Sequence, residues 1–489
     1  MRKQIISYLI EHNTLVQPEL VEKLEDPYVL KSAANLVKQK ASVQTILKII
    51  TPKEKTKEEG PTGKKQEINN SVKVLFDYEK PPLKKNVEHF VKYFNNRFQQ
   101  YEKILLPRLE NNISMSRLQN KTDKETVSVM GIITDKQLTK TNKIILTLED
   151  QTGFIKAIFN PNNPDVFKIA KDTVLDEVIG LSGTAMKGLI FADRIILPDI
   201  PIRTEIKKSQ DEVYAAFIAD THIGSNLFLA KEFENFINWL RGEYGDEEQK
   251  KIAEKIGYCF IGGDMVAGVG IYPKQEDELE IKDIYMQYKI FTDYIKKIPT
   301  RIKIIIIPGN HDVGRIAEPQ PKIEKEFIAD LYDLPNVYLL SNPALVNIHA
   351  NEKFEGFNVL LYHGYSYDYY GDNVESIRMS GREVSDRTEL ISKFLLQRRH
   401  LAPTHQSTLT IPDIDSDPLF IETVPDIFFT GHIHKSAVSS YRGVLILSGS
   451  SWEKQTSYQE KFGHVPDLGK VILVNLKTRK PTIVDFELK

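Results

Sequence analysis

The sequence predicts a multidomain chain: a small N-terminal helical domain, a small β-barrel, and a C-terminal α/β sandwich. Three observations predict it. A charged stretch broken by Gly and Pro follows the first 50 residues. Near Thr126 the apolar period changes from helical to alternating. Beyond residue 201, apolar strand cores alternate with helix-like stretches. A length of 489 residues agrees, because a single core rarely grows so large.

Residues 1–50 read as small helices, with Ile5, Leu9, Leu20, Val21 and Leu24 at helical spacing and Pro18 and Pro27 as helix-start punctuation. Residues 51–72 form the linker, too charged and too poor in apolar side chains to join a core. Residues 73–120 are expected to be a helical segment. Val87, Phe90, Val91, Phe94, Phe98, Tyr101 and Leu105 make one apolar stripe there, the mark of a docking helix.

Residues 121–200 alternate in the manner of short strands, split by Gly, Asn-Lys and Asp-Gln-Thr-Gly turns. A small closed barrel fits, and an OB-fold is the best candidate. Only Phe154, Phe159 and Phe191 could stack on bases, so a scaffold role is the plainer reading of this domain. Over residues 201–489 the strand cores YAAFIAD, YCFIGGD, IKIIIIPGNHD, FNVLLYHG and IFFTGHIH alternate with LAKEFENFINWLRGEY and IKDIYMQYKIFTDYIKKI.

Composition narrows the function classes. Lys+Arg 65 against Asp+Glu 67 leaves a net charge of −2, so no global basic field draws nucleic acid. Cys259 is the only cysteine, which excludes internal disulfides and a thiolate zinc cluster. No apolar run approaches the ~18 residues of a membrane span. The expectation is a soluble protein of the reducing cytoplasm.

Each strand core ends in a polar cluster: Asp220-Thr-His222, Gly263-Asp264, Gly309-Asn310-His311-Asp312, His363-Gly364 and Gly431-His432-Ile-His434. In layered α/β folds the carboxyl ends of strands converge, and ligands bind in the crevice there. Imidazole with carboxylate favours manganese, iron or zinc, and the Asn310 amide adds a neutral oxygen. Asp264 is the natural bridge, because one carboxylate can hold two ions ~4 Å apart. A lone Asp-x-His is worth little, since such an Asp is often only a helix cap. Five clusters in order, each closing a strand, carry the inference.

That order resembles the calcineurin-like metallophosphoesterases. The resemblance implies Asp220, His222, Asp264 and His434 around one ion, and Asp264, Asn310, His363 and His432 around a second. It makes His311 the group that protonates or stabilises the leaving oxygen, with Asp312 orienting it. A barrel directly before such a domain is similar to the B-subunits of replicative DNA polymerases. The stretches Pro308–Pro321, Arg203–Ser209, Gln397–Pro403 and Asp426–Ser436 resemble the small subunit of the archaeal D-family polymerase. The eukaryotic B-subunits have lost ligands, whereas every ligand position is filled here.

The resemblance therefore implies a 3′→5′ exonuclease with a proofreading task, two divalent ions, and a large catalytic subunit as partner. Manganese is the ion to expect, with magnesium, iron or zinc as the other candidates. DNA is expected to meet Arg315, Lys435, Tyr365 and Tyr367. Arg378, Arg382, Arg398, Arg399, Tyr369 and Tyr370 are further candidates, each equally readable as surface charge or loop packing. The competing readings are a structural B-subunit with a vestigial metal site and a general metal-dependent phosphatase.

Overall fold

The computed structural model describes residues 70–487 except 82–83, 120–123, 204 and 462, together with Ile5, Tyr8 and Val37. The chain divides into two compact units, Met1–Glu67 and Ile68–Lys489. Ile5, Tyr8 and Val37 are helical. The rest of the helical domain expected over 1–50, and the linker as far as residue 69, lie outside the described residues.

The second unit opens with strand β1 (Val72–Phe76), where a linker end and a helical segment were expected. Val-Lys-Val-Leu-Phe is a β-prone run, and it pairs antiparallel along Ala344–Ile348, from Val72↔Ile348 to Val74↔Val346. Helix α1 (Val87–Leu105) follows, started by a capping box in which the Asn86 side chain accepts from the His89 N–H.

Five strands then close a barrel: β2 (Glu125–Leu138), β3 (Ile144–Asp150), β4 (Gly153–Phe159), β5 (Val178–Met186) and β6 (Leu189–Ile196). Their order around it is β2-β3-β4-β6-β5, so β4 and β6 meet in parallel. Alternate residues such as Val127, Val129, Leu146, Leu148, Ile155 and Ala157 fill its interior.

The remaining strands are β7 (Tyr214–Ile218), β8 (Ile256–Ile261), β9 (Lys303–Ile306), β10 (Val337–Leu339), β11 (Ala344–Ile348), β12 (Phe357–Leu361), β13 (Ile427–Thr430), β14 (Ala437–Tyr441), β15 (Val444–Ser448), β16 (Lys470–Asn475) and β17 (Pro481–Asp485). They build two mixed six-stranded sheets, β1-β11-β12-β13-β15-β14 and β10-β9-β8-β7-β16-β17. The sheets share a core of Ala215, Phe217, Phe260 and Ile305 against Val346, Val359, Phe429 and Leu447. Helices Ala230–Leu240 and Ile284–Ile295 cover the outer face of one sheet, and Thr388–Arg398 that of the other. Because both faces are covered, β8 is buried at all six positions, which explains its unbroken apolar run.

Candidate metal centre

Parallel strands β7, β8 and β9 end at Asp220, Asp264 and Asn310, while β12 and β13, parallel in the facing sheet, end at His363 and His432. The site is thus assembled from both sheets. Three groups of donor atoms each lie within 4.8 Å of one another: Asp220, His222 and His434; His222, Asp264 and His311; Asp264, His363 and His432. Each group could hold a metal ion.

The backbone is bent to bring them there. Asp220, His222, Asp264, His432 and His434 all adopt positive φ, between 45° and 70°. Non-glycine residues rarely do so, and each such residue costs about 1–3 kcal/mol, which the surrounding structure must hold. Gly309 has a different duty: a Cβ built on it would lie 2.2 Å from Asp264 Oδ1. Only glycine lets that carboxylate approach the β9 turn.

Distances identify Asp264 as the centre. Its Oδ2 is 3.8 Å from His222 Nε2 and 3.3 Å from His363 Nε2. On one side His434 Nε2 lies 3.5 Å from Asp220 Oδ1. On the other, the Asn310 Oδ1 is 2.9 Å from His363 Nε2 and 3.0 Å from His432 Nδ1. Burial opposes a charge on His363, yet the Asp264 carboxylate raises its pKa to about 10. Burial would likewise raise Asp264, but His363 and His311 outweigh it and hold the carboxyl well below its usual range. The carboxylate so kept ionised is the group that attracts a cation.

The donor set fits an ion on two further counts. His222 Nε2 and His434 Nε2 point at each other 3.0 Å apart, and His222 Nδ1 is buried with no hydrogen-bond partner. The Nδ1–H of His363 donates to the Gly262 carbonyl at 2.8 Å, which turns Nε2 inward.

Sequence comparisons place the chain. The family of alpha/epsilon DNA polymerase B-subunits matches residues 222–439, the span from His222 past His434. The DNA polymerase II small subunit of Archaeoglobus fulgidus is 39% identical over 402 residues, 82% of this chain and 78% of that one. The small subunit of Thermoplasma acidophilum is 32% identical over 99% of this chain and 93% of its own. The chain belongs to the archaeal D-family DNA polymerase small-subunit family. Wild-type Vps29 of Entamoeba histolytica complexed with Zn2+ is a likeness at 13% identity and a TM-score of 0.27, covering 56% of this chain and 100% of that one.

The contacts of His311 and Asp312 differ from those the sequence expectation pairs with one another. The His311 Nδ1–H donates to the Ala267 carbonyl at 2.9 Å, so that carbonyl orients the ring and Nε2 faces Asp264 at 4.0 Å. Asp312 instead accepts from the Gly309 N–H at 2.8 Å, the Met265 N–H at 3.2 Å and the Tyr288 hydroxyl at 2.9 Å. It pins the loop that carries His311. Burial and the nearby Asp264 push the Asp312 carboxyl up to about 7.

The expected DNA contacts are also sorted. Tyr365 stands at the site, its ring 5.6 Å from that of His432. Tyr367 does not: it is fully buried, its hydroxyl bonded to Ser392, because the helix after His363 turns it into the core. Tyr370 is buried too, bonded to Ser407, with Tyr369 packed against it. Arg398 and Arg399 are buried, Arg398 on Glu177 and Arg399 on the Ile421 and Glu422 carbonyls. Arg315 folds back on the Pro319 carbonyl and over the Tyr78 ring. Lys435 lies between Asp386 and Asp467, and Arg382 pairs with Glu389. Arg378 is exposed.

Three site residues gave no sequence signal. Asp368 receives the His432 Nε2–H at 3.0 Å, Gln459 meets His434 Nδ1 at 2.8 Å, and Glu453 comes within 4.0 Å of His222 Nδ1. Asp368 was hidden within a tyrosine-rich run, and the other two sit outside every ligand cluster.

Proposed function

We propose that this small subunit carries a two-metal phosphodiesterase acting on DNA as a 3′→5′ exonuclease. The observation that supports it best is the position of the Asp264 carboxylate. It stands between Asp220, His222 and His434 on one side and Asn310, His363 and His432 on the other. One shared carboxylate and two flanking sets suit a pair of ions acting on one phosphate. Two divalent ions held there, manganese by family resemblance, would neutralise phosphate oxygens and lower the pKa of the attacking water.

The chain's own residues supply the rest. His311 Nε2, aimed by the Ala267 carbonyl, is placed to give a proton to the departing 3′-oxygen, and Asp312 holds its loop. Tyr365 lines the approach beside His432. We read the five-stranded barrel as an OB-fold serving as scaffold, and the large catalytic subunit as the partner, as the relatives' names imply. No helix among the described residues is long and apolar enough to cross a membrane.

Digestion of a 5′-labelled primer–template with a 3′ mismatch, in manganese and with the large subunit alternately present and absent, tests this. Wild type should shorten the primer stepwise. His311→Ala should lose about 10²–10⁴-fold in rate, the usual contribution of a positioned acid. Cleavage of p-nitrophenyl phosphate without cleavage of DNA would make the chain a general phosphatase. Cleavage of neither would leave a structural subunit.

A further inference from the structure

A second pair of tyrosines, unmarked by the sequence motifs, stands at the rim of the site. The Tyr272 ring lies 6.4 Å from that of His311, and Tyr458 stacks on Tyr272 at 5.6 Å with 29° between planes. This pair is unlike the aromatic packing of the core. Tyr458 is 49% exposed and Tyr272 is partly exposed, whereas Tyr288, Tyr362, Tyr367 and Tyr370 are sealed from solvent.

The pair is also held in place. The Tyr272 hydroxyl donates to Glu278 at 2.6 Å, and Ser457, which opens the short helix Ser457–Lys461 carrying Tyr458, bonds to the same carboxylate. The next residue on that helix, Gln459, reaches His434 Nδ1. One short helix therefore presents an aromatic ring outward and contacts a candidate metal ligand inward.

We propose that the Tyr272–Tyr458 stack is a nucleobase subsite, which holds the base on the leaving-group side of the scissile phosphate. This rests on the phosphodiesterase reading above. In that hydrolysis the water oxygen joins phosphorus, the bond from phosphorus to the 3′-oxygen breaks, and that oxygen takes its proton from His311. The nucleoside nearest His311 is then the one that keeps its 3′-hydroxyl, the penultimate nucleoside of the original strand. Tyr272 is the aromatic beside His311, whereas Tyr365 stands beside His432 in the other ligand set. An exposed aromatic stack takes any base, because every base has a π-face, and sequence-tolerant digestion needs such a contact.

The test uses the full chain with manganese, alone and with its large subunit, on two 5′-labelled strands. One is intact and the other has an abasic penultimate position. For each protein the ratio of first-cleavage kcat/KM on the two strands is read, so a general loss of activity cancels. Wild type should prefer the intact strand about tenfold or more, the range for one stacked base. Tyr272→Ala and Tyr458→Ala should bring the ratio close to one, mainly through KM, while Tyr272→Phe should keep the wild-type ratio. An equal preference in wild type and both alanine variants would overturn the subsite, and so would a wild type indifferent to the missing base. If Tyr272→Ala is too inactive to measure, Tyr458→Ala decides alone, since its ring lies at the surface. Wild type that cleaves neither strand nor bis-p-nitrophenyl phosphate would instead overturn the phosphodiesterase reading.

Discussion

His432 shows how much of the centre is built by single contacts. Its Nε2 is bonded to the Asp368 carboxylate, and its Nδ1 faces the Asn310 Oδ1, each 3.0 Å away. The carboxylate accepts the Nε2–H, which leaves the Nδ1 lone pair facing the second ligand set. Its backbone N–H meanwhile donates to Asp220 at 3.1 Å, so one residue ties the two sets together while its own φ is 70°. Losing such an outer carboxylate typically costs ~10–100-fold in metal affinity. Asp368→Ala should therefore weaken manganese binding by about that factor, with stoichiometry unchanged, as measured by titration calorimetry. An affinity equal to wild type would remove Asp368 from the centre.

At the scale of elements, α1 buries the C-terminal half of its apolar stripe, leaves the N-terminal valines outside, and adds Tyr93 and Arg97 to the buried face. Val87 and Val91 are exposed, while Tyr93, Arg97, Phe98, Tyr101 and Leu105 are buried. The reason is Arg97, which periodicity counts as polar. Its guanidinium bonds Asp417 at 2.6 Å, the Pro403 carbonyl at 2.6 Å and the Tyr93 hydroxyl at 2.7 Å. Asp417 in turn accepts from His400 Nε2 at 2.8 Å, and His400 and Arg97 hold its carboxyl below the usual range against the effect of burial. A counting rule sees helix and stripe, but it cannot see partners more than 300 positions away, and those partners decide which face goes in. β1 escaped for a related reason: five residues beside a charged linker become a strand only because β11 offers an open edge. Removing one member of a buried pair leaves a charge without a partner, a loss of about 3–5 kcal/mol. Arg97→Ala should lower the urea midpoint by a corresponding amount, while Arg117→Ala, on an exposed helix face, should leave it in place. Equal midpoints for Arg97→Ala and wild type would show that α1 is held by its apolar contacts alone.

Across the whole molecule, the candidate ligands were legible because each follows a strand core, and strand ends are where an α/β layer exposes polar groups. Their division between two sheets was not legible. That division is set by side-chain contacts between the layers, such as Phe217, stacked on Phe260 at 4.7 Å and meeting Phe429 of the facing sheet at 5.1 Å. Nor could the sequence show the five strained turns, since Asp and His tolerate positive φ better than most residues yet adopt it in only a small share of cases. The consequence is mechanical: Asp220, Asp264 and Asn310 ride on one sheet, and His363, His432 and His434 on the other. Ions bound there would bridge the sandwich and tie its two sheets together through these facing groups. Binding only to the folded state stabilises it by RT ln(1 + [L]/Kd), about 2.7 kcal/mol at a hundredfold excess over Kd. Thermal unfolding of the chain should therefore shift upward with manganese concentration and fall back with a chelator. Asp264→Asn, which weakens the donor common to both sets, should respond far less. A wild-type midpoint that ignores manganese up to millimolar concentration would mean that the strained strand ends are held by the sandwich alone and that no ion joins its two sheets.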